Sequence, residues 1–297
     1  MWVDLVDATP LRFQDGSPVR AASGIAPYDA GYLVVQDDTT HGCVWVDGSG
    51  RGLRLVPQVE GLDTFEEASG TKALKPDLEA AVALPGGAVL ALGSGSTPAR
   101  MRSVLVAADG SVTVADLRAV YARVGEALGV PADQLNLEGA CVLDGVLRWF
   151  QRGLPSAGAP TASVDLPLDA VLAAASGGPV DLAPGAVRRY DLGSVAGVGL
   201  AVTDAIALGD GRVLVSAAAE DAPTTYDDGP VVGSALALLD GDRLVDLVEL
   251  PRLEGAVSKV EGLTLAGRHG DRLDLVAVVD ADDPAVPSLL LELRITQ

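Results

Sequence analysis

Apolar residues in this chain fall in short runs, each closed by a turn signal and answered by a second run. Residues 138–152 show the unit whole: Glu138-Gly139, the run Ala140-Cys141-Val142-Leu143, the turn Asp144-Gly145, the run Val146-Leu147-Arg148-Trp149-Phe150, and the polar ending Gln151-Arg152. Asp-Gly between two apolar runs marks a β-hairpin. The unit recurs from Ser23 through a turn near Asp29-Ala30-Gly31, and from Glu79 through Pro85-Gly86-Gly87. It recurs again from Asp204 through Gly209-Asp210-Gly211, and from Glu261 through Arg268-His269-Gly270-Asp271. The five starting residues lie 56, 59, 66 and 57 positions apart. Repeats of this size signal propellers or solenoids.

The repeats from Ser23, Glu79 and Asp204 continue into two further apolar runs, and four short antiparallel strands make a propeller blade. The last repeat has room for three strands, ending at Ser288–Leu293, while Val3–Asp7 is surplus at the other end. Pairing that segment into the last blade closes the ring and removes an exposed edge. The expected fold is therefore all-β: a five-bladed β-propeller of four-stranded blades over residues 1–297, one domain, with blades starting near 23, 79, 138, 204 and 261. Residues 1–22 complete the last blade. Two helices decorate it, one over Asp116–Leu128 with Asp116 as N-cap and one over 168–175.

Aromatic residues make up only 4% of a chain that is 48% hydrophobic, so Val, Leu and Ala must form the core. A net charge of −20 repels nucleic acid and anionic membrane surfaces. No apolar run is long enough to span a bilayer, and the N-terminus lacks the features of a signal peptide. Cys43 and Cys141 sit in apolar strands of different repeats and are expected to be buried free thiols. A cytoplasmic monomer is the expectation.

In a propeller the first strand of each blade lines the central channel. Ser23, Glu79, Glu138, Asp204 and Glu261 then share one level, and Thr203 could take the channel position in place of Asp204. Four carboxylates in a narrow space call for a cation, bound protons or many hydrogen bonds. Hard oxygen ligands from several directions suit Ca²⁺. Antiparallel topology brings the loops after each second strand to the same face, among them Asp38, His41, Arg100, Arg102, Arg152 and Asp282. The chain's three lysines, Lys72, Lys75 and Lys259, each precede a ring residue by a few positions. Together with the arginines they suit a small anionic ligand bridged by metal. His41 is the imidazole available for acid–base work on this face. Motifs such as HExxH, GxSxG and the Walker A loop are absent.

A Ser/Glu ring with one member per blade, here Ser23, Glu79, Glu138 and Glu261, resembles the calcium-dependent apyrase family; Asp204 departs from that pattern. The Ser23-Gly24 and Leu-Glu-Gly pattern also resembles phytase-like esterase propellers and bacterial propellers of unknown function. The resemblance implies Ca²⁺ in the channel and phosphate ester or anhydride hydrolysis above it, with Glu138, His41 and Arg152 as catalytic candidates. The rival expectation is a non-catalytic, Ca²⁺-stabilised propeller that binds a small ligand or protein. A third is a sugar-cleaving enzyme working with two ring-face carboxylates.

Overall fold

The computed structural model describes residues 1–297 apart from 155–158, 160, 222–228 and 282. Five antiparallel sheets follow one another around a central channel. Blade 1 comprises Ala22–Tyr28, Gly31–Gln36, His41–Val46 and Ser49–Arg54, and blade 2 Leu78–Ala83, Val89–Gly93, Arg102–Val106 and Val112–Asp116. Blade 3 comprises Leu137–Leu143, Val146–Gln151, Thr161–Pro167 and Val187–Tyr190. Blade 4 comprises Val198–Ala207, Val213–Glu220, Val231–Asp240 and Arg243–Glu249, with Ser194–Val195 added as a fifth strand beside its inner one. Blade 5 runs Val260–His269, Arg272–Val279 and Leu289–Thr296, and its outermost strand is Trp2–Pro10. The N-terminal strand pairs antiparallel with the C-terminal one, Val3 opposite Ile295 and Leu5 opposite Leu293. The two chain ends thus close the ring.

The unbroken apolar runs follow from this geometry. A strand in the middle of a blade is covered on both faces by neighbouring blades, so alternation gives way to continuous burial. Val213–Glu220 is buried at every position. Five apolar clusters result, one per interface between adjacent blades. The cluster between blades 2 and 3 also takes in the helices Arg118–Leu128 and Leu168–Ala175. There Tyr121 meets Trp149 edge to face at 4.8 Å. The first helix starts two residues later than its sequence pattern suggests, because Asp116 ends the outer strand of blade 2 while its carboxylate caps the Arg118 N–H at 2.9 Å. Cys43 and Cys141 are buried free thiols. No helix among the described residues is long and apolar enough to cross a membrane.

At the axis the inner strands pack backbone against backbone. A Cβ on Gly139 would lie 2.5 Å from Asp204 Cα in blade 4, and one on Gly262 would lie 2.6 Å from Gly24 Cα in blade 1. Glycine after Glu138 and after Glu261 is therefore a packing requirement of the channel wall. Gly139→Ala is expected to cost about 1–3 kcal/mol by overpacking. Gly52→Ala, whose added methyl would meet nothing within 4 Å, should change stability by less than about 0.5 kcal/mol. Urea unfolding of the two variants checks this; equal losses would refute it.

Candidate active site at the channel mouth

Every inner strand breaks register with its neighbour near its start, and that of blade 5 does so again between Leu265 and Gly267. The breaks near the start fall between Ala22 and Gly24, Leu78 and Ala80, Leu137 and Ala140, Val202 and Asp204, and Val260 and Gly262. Such bulges re-aim a side chain out of the regular pleat. The residues inside them are Ser23, Glu79, Glu138 with Gly139, Thr203 and Glu261. Four of the five expected ring members are thus at one structural level, and Thr203 holds the fifth place.

Asp204 stands apart. It has returned to the ladder opposite Ser216, and its Oδ2 accepts a hydrogen bond from the Leu263 N–H at 2.7 Å. It ties the inner strand of blade 4 to that of blade 5 and does not reach the channel mouth. Two ring hydroxyls do similar work. Ser23 donates to the Leu78 carbonyl of blade 2, and Thr203 donates to the Val260 carbonyl of blade 5 at 2.6 Å. These bonds end on the residue just before Glu79 and just before Glu261, so they fix where both acids begin.

Glu79, Glu138 and Glu261 line a cavity of about 110 Å³ with Ser23, Lys72, Lys75, Arg100, Arg152 and Lys259. Sequence reasoning had brought all nine to this face. It places Asp37, Asp280 and Glu220 on this face only as members of polar loops and passes over Asp77 and Asn136; all but Glu220 line the cavity, and Glu220 pairs with two of the cations. Their common signal lies in the topology. Asp37, Arg152 and Asp280 directly follow second strands, and Glu220 ends one. Asp77 precedes an inner strand with a left-handed backbone, φ 56°, a conformation that Asp tolerates better than most residues.

The charges are compensated in place. The Lys75 ammonium contacts Asp37 and lies 2.7 Å from Asp77, whose other oxygen takes Arg100 at 2.9 Å. Arg152 reaches Glu138 at 3.0 Å and also Glu220. Lys259 joins Glu220 at 3.1 Å to Glu261 at 2.8 Å. Burial disfavours both ammoniums, but the carboxylates around Lys75 and Lys259 outweigh it and hold them more basic than an ordinary lysine. Asp37, Asp77 and Glu79 each offer an oxygen within 4.8 Å of the others. A divalent cation there would have to displace the Lys75 ammonium from Asp37 and Asp77.

The carboxyls diverge in acidity. Burial pushes Glu138 up to about 7 against the opposing Arg152 guanidinium, with Glu261 adding to the rise. Burial likewise pushes Asp37 up to about 7, with Lys75 opposing. Burial and the neighbouring Asp77 and Asp37 carry Glu79 well above the carboxylate range. Burial would also raise Glu220, but Arg152 and Lys259 hold it at about 2. Glu138 is anchored through Oε1 by Asn136 Nδ2 at 3.0 Å and by Arg152, while its buried Oε2 has no hydrogen-bond partner among the described residues.

The remaining sequence candidates lie elsewhere. His41 lines a separate depression with Phe13 and Arg51, beside the Thr40 hydroxyl, and burial lowers its pKa. Arg102 is spent on the Ala99 carbonyl. Asp38 pairs with Arg20 in a groove adjoining the mouth. Asp282 lies outside the described residues, as does most of the blade 4 loop expected on this face.

Comparison with known proteins places the chain by family. The profile of DUF6910, described as a family of unknown function, matches residues 71–284. The chain belongs to DUF6910. No curated protein matches it in sequence. Among solved structures, a candidate glycoside hydrolase from Parabacteroides distasonis is similar at a TM-score of 0.52 and 10% identity, over 92% of this chain and 86% of that one. A GH43 β-1,3-galactosidase is similar at 0.51 and 11%, over 98% of this chain and 60% of the other. A candidate glycoside hydrolase from Bacteroides ovatus is similar at 0.50 and 11%, over 93% and 86%. At such identities the likeness concerns the fold of this DUF6910 member, the propeller.

The raised carboxyls make a pH prediction with a definite sign. Between about pH 4.5 and 7 the folded state keeps a proton on Glu138 that the unfolded state has released. Stability through this group therefore falls as pH rises across that window, by up to about 1.4 kcal/mol per pH unit. Glu220 works oppositely: its contribution is present above about 4.5 and is lost as pH falls towards 2. Urea midpoints of wild type and Glu138→Gln from pH 4.5 to 7.5 test this. The variant should show the shallower fall, and parallel curves would contradict the assignment.

Proposed function

We propose that the channel mouth is a hydrolytic site for a small polar substrate, with Glu138 as the general acid. One observation carries this reading. Glu138 has one oxygen fixed by Asn136 and Arg152, the other buried without a partner, and a carboxyl pushed up to about 7. Such a group holds a proton near neutral pH and can release it to a leaving oxygen. Glu261, whose charge Glu138 feels, is held by Lys259 and supplies the partner that takes a proton from water. Two carboxyl groups with separate roles suit glycoside cleavage. The names of the similar propellers, two candidate glycoside hydrolases and a galactosidase, favour the same substrate class.

The apyrase-like alternative asks for Ca²⁺ on the Ser/Glu ring. Ser23 there donates its hydroxyl hydrogen to a backbone carbonyl, and Asp204 is occupied with the backbone of blade 5. A cation reading is better supported at Asp37, Asp77 and Glu79, whose oxygens converge. It requires Lys75 to swing away.

A panel of 4-nitrophenyl glycosides and phosphate esters, assayed with and without Ca²⁺, tests the proposal. Glycoside turnover that falls at least about 100-fold in Glu138→Gln is expected. Undiminished turnover in that variant would overturn Glu138 as the acid. Ca²⁺ and chelator are expected to leave the Tm unchanged. A saturable rise in Tm with Ca²⁺, lost in Glu79→Gln, would establish the cation reading instead.

A further inference from the structure

The channel narrows inside the mouth cavity. Inner strands of blades 2 and 5 come within 8 Å, Cα to Cα, although blade 1 stands between them. Carbon atoms pack at about 3.5–4.0 Å, so such a gap admits at most a single file of atoms. Gly24 fills this pinch, with blade 2 on one side and Gly262 of blade 5 on the other. Beyond it the channel turns apolar, lined by Ile25, Val82, Cys141, Ile206 and Leu265. A cavity of about 110 Å³ above a pinch of this kind holds one end of a substrate and cannot thread its middle.

Outward, the cavity continues into a groove of about 270 Å³, with which it shares Asp37, Lys72, Lys75 and Asp280. Six acids line the groove, namely those two aspartates with Asp38, Glu66, Glu67 and Asp283, against three bases, Arg20, Lys72 and Lys75. The bases are engaged locally. Arg20 binds Asp38 and Glu66 at 2.6 and 2.8 Å, Lys75 binds Asp37, and Lys72 lies 3.7 Å from Glu67. Even with Asp37 only partly ionised near neutral pH, the acids outnumber the bases along the groove and leave it net negative. The whole chain, at −20, adds its own repulsion of polyanions.

We propose that the substrate enters end-on. Its terminal unit occupies the mouth, and the rest of it, uncharged or bearing amino groups, lies in the groove over blades 1 and 5. The cleavage half of this proposal rests on the hydrolytic reading above; the binding half does not. In the reaction, Glu138 gives its proton to the oxygen joining the terminal unit to the remainder. Water adds its hydroxyl to the terminal unit, and its proton goes to Glu261. Products are the free terminal unit and a chain shorter by one, which departs along the groove.

The test separates the two halves. Binding to Glu138→Gln is measured by calorimetry for three probes: a linear pentamer of glucosamine, its fully N-acetylated form, and a pentamer of galacturonic acid. The amino pentamer is expected to bind tightest, with an affinity that weakens in high salt, and the uronate at least about 10-fold more weakly than the neutral form. Adding Glu67→Lys and Asp283→Lys, both on exposed groove positions, should weaken the amino pentamer at least about 10-fold while leaving the Tm unchanged. Equal binding of uronate and amine, no binding by any probe, or indifference to the charge reversal would overturn the groove assignment. With wild type and end-labelled pentamers, a tetramer is the expected first product, and early dimer and trimer would overturn end-on entry. Binding in the expected order without cleavage supports the groove and counts against the hydrolytic reading alone.

Discussion

Buried charge at the channel mouth must be neutralised in place, and much of the site follows from that demand. Asp77, Glu138 and Glu220 are all buried. Isolated carboxylates in such positions would cost several kcal/mol each. The chain answers with Lys75, Lys259, Arg100 and Arg152, each bridging or closing on these acids. This explains why Lys75 and Lys259, two of the chain's three lysines, sit beside the channel. It also explains why the carboxyls split into two kinds. Asp77 and Glu220, each held by two cations, stay ionised, whereas Glu138 and Asp37, with one each, hold their protons more tightly.

The ring that carries these acids is set by backbone contacts. Inner strands of blades 1, 3 and 5 meet their neighbours at Gly24, Gly139 and Gly262, and each of the three is bulged beside that glycine. Hydroxyls of Ser23 and Thr203, and the Asp204 carboxylate, stitch neighbouring blades at the same level. The outer closure, Trp2–Pro10 on Leu289–Thr296, keeps the five blades in one ring. Close packing at Gly24 also narrows the channel beneath the mouth.

Much of the architecture was legible in the sequence because its signals are local and repeated. Asp-Gly and Gly-rich turns between apolar runs mark hairpins, and their spacing gives five blades. The surplus N-terminal strand and the missing fourth strand of the last blade point to each other. The site was legible in part. Glu79, Glu138 and Glu261 announce themselves as acids ahead of apolar runs, and the lysines by their scarcity. Asp204 misled because it too precedes an apolar run, and only the strand register shows that the bulge falls one residue earlier, at Thr203. Asp77 and the role of Glu220 were hidden for a different reason. Their roles come from cations contributed by other segments, such as Lys259 to Glu220, and no local pattern records that pairing.

The proposed chemistry requires Glu138 to be a carboxylic acid held protonated into the neutral range by its surroundings. This state can be measured without a substrate, by following the side-chain carboxyl ¹³C resonances of glutamate-labelled protein from pH 4 to 9 and assigning Glu138 as the signal missing from Glu138→Gln. A midpoint near 7 is the predicted result. An ordinary midpoint near 4.5 would contradict the account.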